Sequence, residues 1–239
     1  MKTAGTESIK RVGMGLSMIL APLLLGVGFA FHPPVGFASH PPQSTSGAEE
    51  LRIIAATAGS WDLAHVLILV SLVLFIPAVI GVMSFLQRRG AWLGLIGGAF
   101  VAIGAVFFAA WVGAEGFASS TLASLPKDQQ AALAPAMHAI IDAKGALALV
   151  DTPSVLLIAG LLVLAIGLFV ARAVPRWMSV AMAVGVLLLV IGASLGSQIS
   201  LVGGCALLVV GMGAMGLQGL KEPHEMQEAI PAYSDLQKY

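Results

Sequence analysis

Six long apolar runs broken by short polar stretches set the pattern of this chain: residues 12–31, 63–86, 91–114, 153–171, 177–195 and 199–217. The hydrocarbon core of a bilayer is about 30 Å thick and an α-helix rises about 1.5 Å per residue, so an apolar run of about 20 residues spans it. Apart from His65, near the start of the second run, none of the six holds an ionisable side chain other than Cys205. Open strands would leave backbone groups unpaired in lipid, and the runs lack the alternation of barrel strands, so the pattern predicts helices. The expected fold is all-α, a polytopic transmembrane bundle of about six spans. Residues 177–217 form one uncharged stretch, too long for one span, and Gly196-Ser197-Gln198 supplies the turn that divides it.

The first run has a second reading. Lys10 and Arg11 precede it and Gly36-Phe37-Ala38-Ser39 follows, as in a cleaved signal peptide, but its apolar stretch exceeds the usual length of such a region. A retained span is the expectation.

Orientation follows from the basic residues, which collect in short cytoplasmic loops. With the N-terminus inside, Lys2, Lys10, Arg11, Arg88, Arg89, Arg172, Arg176, Lys221 and Lys238 fall on the inner face, and Arg52, Lys127 and Lys144 on the outer. Both termini are therefore expected in the cytoplasm, with 221–239 a flexible cytoplasmic tail. Trp61 and Trp111 map to the outer boundary and Trp92 and Trp177 to the inner, where amphipathic rings anchor spans.

The inner loops Gln87-Arg88-Arg89-Gly90 and Arg172-Ala173-Val174-Pro175-Arg176 are short, so the spans they join are expected to be antiparallel neighbours. The first outer segment opens with His32-Pro33-Pro34 and His40-Pro41-Pro42, which suit extended coil, before a short helix near 49–57. The second is expected to carry a short amphipathic outer helix near 136–149, with Met137, Ile140, Ile141 and Leu147 at helical spacing. A weak internal similarity relates the second and third spans to the fourth and fifth, through Ile103-Gly104-Ala105 and Ile191-Gly192-Ala193. Small residues at four-residue spacing, Gly94 and Gly98, then Gly192, Gly196, Ser200 and Gly204, suit close helix packing within the bundle or a homodimer seam.

Composition narrows the function. Of 239 residues, 58% are hydrophobic and 10% charged, against about 25% charged in a soluble domain, so the bilayer is the main partner. Net charge is zero and no basic block exists to neutralise phosphates, which excludes nucleic acid. The single cysteine, Cys205, rules out an intrachain disulfide or a CxxC pair, and its apolar surroundings predict an inert thiol.

Polar residues gather toward the outer end. Asp62 and His65 open the second span, Glu115 closes the third, and His138 and Asp142 lie four apart on the outer helix. His65 and Glu115 could meet at one depth across the hairpin, with His138 or Asp142 above them. Imidazole with carboxylate suits a divalent metal at His65, Glu115, His138 and Asp142, and two histidines on different elements could ligate haem. Asp62 is a further ligand candidate, and His32 and His40 could capture a metal from the loop. No HExxH or clustered ligand spacing is present, and the competing reading makes Asp62 and Asp151 helix caps and His138 and Asp142 a wet helix face. His65 stands out, because a polar group below the interface needs a partner.

The His-Pro segment, Trp61-Asp62-Leu63-Ala64-His65 ahead of mid-span Pro77, Arg88-Arg89-Gly90, and Val174-Pro175-Arg176-Trp177 together resemble a diffuse set of small bacterial multi-span membrane proteins of unknown function, over the middle two-thirds of the chain. The resemblance implies a bacterial inner membrane and no activity. Three classes follow: a structural or accessory subunit of a membrane complex, which is the leading expectation; a membrane-embedded metal, haem or small-ligand binding protein using the outer His/carboxylate group; and a transporter of an apolar or lipid solute. No residue set specifies catalysis.

Overall fold

A run of apolar residues in lipid satisfies its backbone only by helical hydrogen bonding, and each of the six runs is a helix. The computed structural model describes residues 2–32, 46–86, 90–141, 145 and 148–228. Among these, eight helices follow in order: α1 (Lys2–Phe31), α2 (Gly47–Ala56), α3 (Ala58–Ser84), α4 (Ala91–Ala123), α5 (Lys127–Ile141), α6 (Ala148–Ala171), α7 (Arg176–Leu195) and α8 (Gln198–Glu228). Six of them, α1, α3, α4, α6, α7 and α8, are long and apolar enough to cross a membrane. The protein is a multi-pass transmembrane helix bundle.

The spans form a closed ring. Each packs on the next in chain order, and α8 returns to pack on α1. Lipid tails are as apolar as leucine, so nothing expels the helices from solvent, and close packing and hydrogen bonds must hold them together. Glycine makes the close packing possible: a Cβ on Gly104 would lie 2.0 Å from the Leu157 backbone nitrogen, and one on Gly160 2.5 Å from that of Val101, where α4 and α6 cross. Gly94 and Gly98 rest on Leu86 and Met83, at the end of the preceding span, and Gly192 on Leu201 of the next. These small residues are thus used inside one chain. Ser71 Oγ adds a 2.7 Å bond to the Ala21 carbonyl, tying α3 to α1.

The turn between α7 and α8 is closed as the sequence predicts. Gly196 adopts a left-handed conformation (φ 66°) and the Ser197 N–H reaches back to the Gly192 carbonyl at 3.0 Å, which ends α7 and lets α8 start two residues later. At the other end Arg172 takes the same region (φ 51°) without being glycine, and Arg176 lies 5.5 Å over the Phe169 ring.

The polar segments hold two more helices. Ser46 caps α2, its hydroxyl accepting from Glu49 N–H, and Arg52 Nε donates to Glu49 Oε2 at 2.8 Å, which holds the Glu49 carboxyl below its ordinary range. The amphipathic helix expected near 136–149 is instead α5, from Lys127 to Ile141. It begins directly after Pro126, whose fixed φ suits a helix start, and it runs through Pro135. Gln130 fastens this first turn by donating to the Ala123 and Leu125 carbonyls. Gly145, at φ 64°, separates α5 from α6, and Leu147 lies outside the described residues. Leu51, Ile54, Trp61, Ala123 and Met137 bury one another where α2 and α5 meet the ends of α3 and α4.

A cavity of about 180 Å³ lies in the main core. All six spans reach it, through Phe29, Phe75, Phe108, Ile158, Leu189 and Leu201 among others, and Ser154 is its one lining residue with a polar side chain.

Candidate functional site

The bundle has two chemically distinct ends. One carries Lys10, Arg11, Arg172, Arg176 and Lys221, and is called the arginine end; the other carries His32, His65 and Glu115, the histidine end.

At the histidine end, α3 starts at Ala58, earlier than the apolar run, because Thr57 breaks the chain between α2 and α3. Trp61, Ala64, His65 and Ile68 therefore share the buried face of α3, while Asp62 turns to the exposed side. Asp62 lies inside the helix and is neither its cap nor a neighbour of the buried histidine face. On α4 the helix continues past Ala114 to Ala123, which carries Glu115 and Ser119, one turn apart, on the buried side.

His65 Nε2 lies 2.9 Å from Glu115 Oε2, with both side chains almost wholly buried. His65 Nδ1 lies 2.8 Å from the Trp61 carbonyl. A carbonyl only accepts, so Nδ1 carries a proton, and the bond between Nε2 and the carboxyl then needs exactly one more. The pair is either imidazolium with carboxylate or imidazole with carboxylic acid; both states are neutral overall, which is how a buried ionisable pair avoids an uncompensated charge. Glu115 Oε1 makes no hydrogen bond among the described residues.

Packing fixes this geometry. The His65 ring lies flat against Gly116, where a Cβ would come within 2.2 Å of Cδ2. Trp61 is fully buried and its indole N–H donates to the Gly116 carbonyl at 3.0 Å. This corrects its expected place as an interfacial anchor: Trp92 (76% exposed) and Trp177 (52%) sit on the bundle surface, whereas Trp61 is part of the site.

His32, at the end of α1, completes the cluster. Its ring centroid is 5.0 Å from Trp61 and 5.1 Å from His65. Gln198, the first residue of α8, holds the end of α1 by donating to the carbonyls of Phe29 at 2.7 Å and His32 at 3.1 Å. Four spans are thus joined at one level; from the sequence Gln198 reads only as a turn residue, because an amide gives no sign of its partner. Glu50 on α2 is also buried.

The remaining sequence candidates are dispersed. His138 is exposed on α5, and Asp142 and His40 lie outside the described residues. Among the described residues no group of three or more His, Cys, Asp or Glu side chains is arranged to hold a metal. Both His65 nitrogens have protein partners, so a metal ion or haem iron would have to take the place of a hydrogen bond to Glu115 or Trp61. Ser119 is fully buried and its hydroxyl has no hydrogen-bond partner among the described residues.

The central cavity begins about one turn beneath this cluster: Phe29 precedes His32 on α1, and Leu201 follows Gln198 on α8. Two lining residues, Val155 on α6 (63% exposed) and Ala193 on α7, are exposed on the outside of the bundle. They stand on either side of the α6/α7 seam, the most loosely packed in the ring. The lining of the cavity therefore reaches the bundle surface at this seam.

Comparison of the chain with protein-family models, curated proteins and solved structures returned no match.

Proposed function

We propose that this chain is a membrane-embedded binding protein for a small apolar molecule, which enters from the lipid between α6 and α7 and lodges in the central cavity. The observation that carries this reading is the cavity itself, lined from all six spans and reaching the bundle surface at Val155 and Ala193. Apolar cavities of about 150 Å³ stay dry and take up benzene-sized molecules, so a volume of about 180 Å³ suits a ring system or a short stretch of an isoprenoid or acyl chain. The His65–Glu115–Trp61–His32 cluster lies about one turn above the cavity and ties α1, α3, α4 and α8 together; in this reading it supports binding by fixing those helices rather than as a metal centre.

The test is saturable binding of a naphthalene-type fluorophore to the detergent-purified chain. Ala193→Trp blocks the mouth and Ser154→Phe fills the interior, and each is expected to abolish saturation while leaving the helical signal intact. Linear partitioning of the probe, identical in all three proteins, would remove the proposal.

We infer further that the arginine end faces the cytoplasm of a bacterial inner membrane, supported by the bias of basic residues to that end. In a Cys205→Ala background, Ser124→Cys should react with an impermeant thiol reagent on intact cells and Ser234→Cys should not. The reverse pattern would invert the orientation.

A further inference from the structure

A second cavity lies at the arginine end, away from the histidine cluster. Its volume is about 430 Å³, and it sits where α1, α3 and α8 diverge. Small residues shape it: Gly15 and Gly216 let α1 and α8 touch, a Cβ on Gly216 falling 2.5 Å from the Gly15 carbonyl oxygen, Gly81 lets Met14 and Met18 close on α3, and Gly219 leaves the space beside the crossing open. Met14, Met18, Phe85 and Met215 give it an apolar wall.

Arg11 enters this cavity from α1. Among the described residues its buried Nε has no hydrogen-bond partner and it forms no ion pair. A guanidinium presents five donors in a planar fork and cannot shed its charge, so a buried Nε–H facing an open cavity is a costly arrangement unless an anion completes it. The fork matches the oxygens of a phosphate, which it binds in bidentate fashion. The methionine wall beside it suits the adjoining ester and chain carbons, since thioethers adapt to irregular apolar shapes.

We propose that this cavity binds a phosphate group, that of an anionic phospholipid, with Arg11 on the phosphate and the glycerol end against Met14, Met18 and Met215. Anionic lipids concentrate in the cytoplasmic leaflet, so such a lipid would be present at this end in the orientation inferred above. Ligand and site are both distinct from those of the central cavity.

Native mass spectrometry of the full chain in neutral detergent, titrated with phosphatidylglycerol or phosphatidylcholine, tests this. The unmodified protein is expected to bind phosphatidylglycerol about tenfold more tightly, a difference of about 1.4 kcal/mol. Arg11→Gln should erase that preference. Gly219→Phe should erase it with the arginine intact, and it should fold, because a Cβ at Gly219 meets no atom within 4 Å. Displacement of the bound lipid by millimolar inorganic phosphate would assign the site to free phosphate, and resistance to it would assign the site to the lipid headgroup. Equal affinity for the two lipids, or a preference that survives in both variants at unchanged unfolding temperature, would overturn the proposal.

Discussion

Replacing either member of the His65–Glu115 pair should reveal how the pair keeps its proton. In His65→Ala the Glu115 carboxyl stays buried without its partner, and the ring that fills the space against Gly116 is lost. Removing one partner of a buried pair costs about 3–5 kcal/mol. For a chain of this length that corresponds to an unfolding temperature lower by about 10 °C. Glu115→Ala strands a polar imidazole in the same way, and the double variant should lose less than the sum, by about 1–3 kcal/mol, because the second change removes a group the first had orphaned. Glu115→Gln separates hydrogen bonding from charge. The Gln amide can donate to an unprotonated His65 Nε2 while Nδ1 keeps its bond to the Trp61 carbonyl, so this variant should lose no more than about 1 kcal/mol. Thermal unfolding in detergent, followed by tryptophan fluorescence, is a suitable assay because the Trp61 ring lies 4.4 Å from the His65 ring. Additive losses in the double variant, or a Gln variant as unstable as the Ala one, would refute the shared-proton pair.

Gly116→Ala places a methyl 2.2 Å from His65 Cδ2, so the ring must move off Glu115; we expect a loss of about 1–3 kcal/mol that shrinks when Glu115→Ala is already present, measured by the same unfolding assay. Ser119→Ala removes a buried hydroxyl without a hydrogen-bond partner among the described residues, and should leave stability unchanged or raise it by up to about 1 kcal/mol; a clear loss in the unfolding temperature would mean the hydroxyl has a partner in the membrane. Cys205 is buried with α1 pressed against it at Gly26, so it should resist a polar maleimide in native membranes and label only after denaturation in dodecyl sulfate, with rapid native labelling as the contrary result.

The sequence reveals depth in this protein far better than direction. Apolar length places all six spans, and Gly196 marks the last turn, because both depend on the backbone and on lipid thickness alone. The meeting of His65 with Glu115 is legible for the same reason: each is an isolated polar residue at a known depth on adjacent antiparallel spans. Which way a residue faces is another matter. Helices apolar on every side have no polar face to betray the buried one, so Trp61 reads as an interfacial anchor although it points inward beside His65. The start of α5 is equally hidden, since the helix begins at Lys127 and runs through Pro135, a lost backbone hydrogen bond being tolerated where Met137 packs into the cluster at this end.

The two cavities lie beyond any reading of single segments, because each is made by several helices at once. Phe29, Phe75, Phe108 and Leu201 are unremarkable apolar residues in four separate runs, and only the closing of α8 onto α1 turns them inward around one space. Ring closure also explains the placement of the polar bonds. With lipid outside supplying no force to drive the ring together, a bundle with a hollow centre forfeits packing there and needs fastenings at its ends. The structure supplies them at the histidine end through Trp61, His65, Glu115 and Gln198, where four of the six spans are tied. Between α6 and α7, where the packing is loosest, Val155 and Ala193 mark the mouth. A ring fixed on one side and loosest at one opposite seam is the feature on which the proposed entry from lipid between α6 and α7 rests.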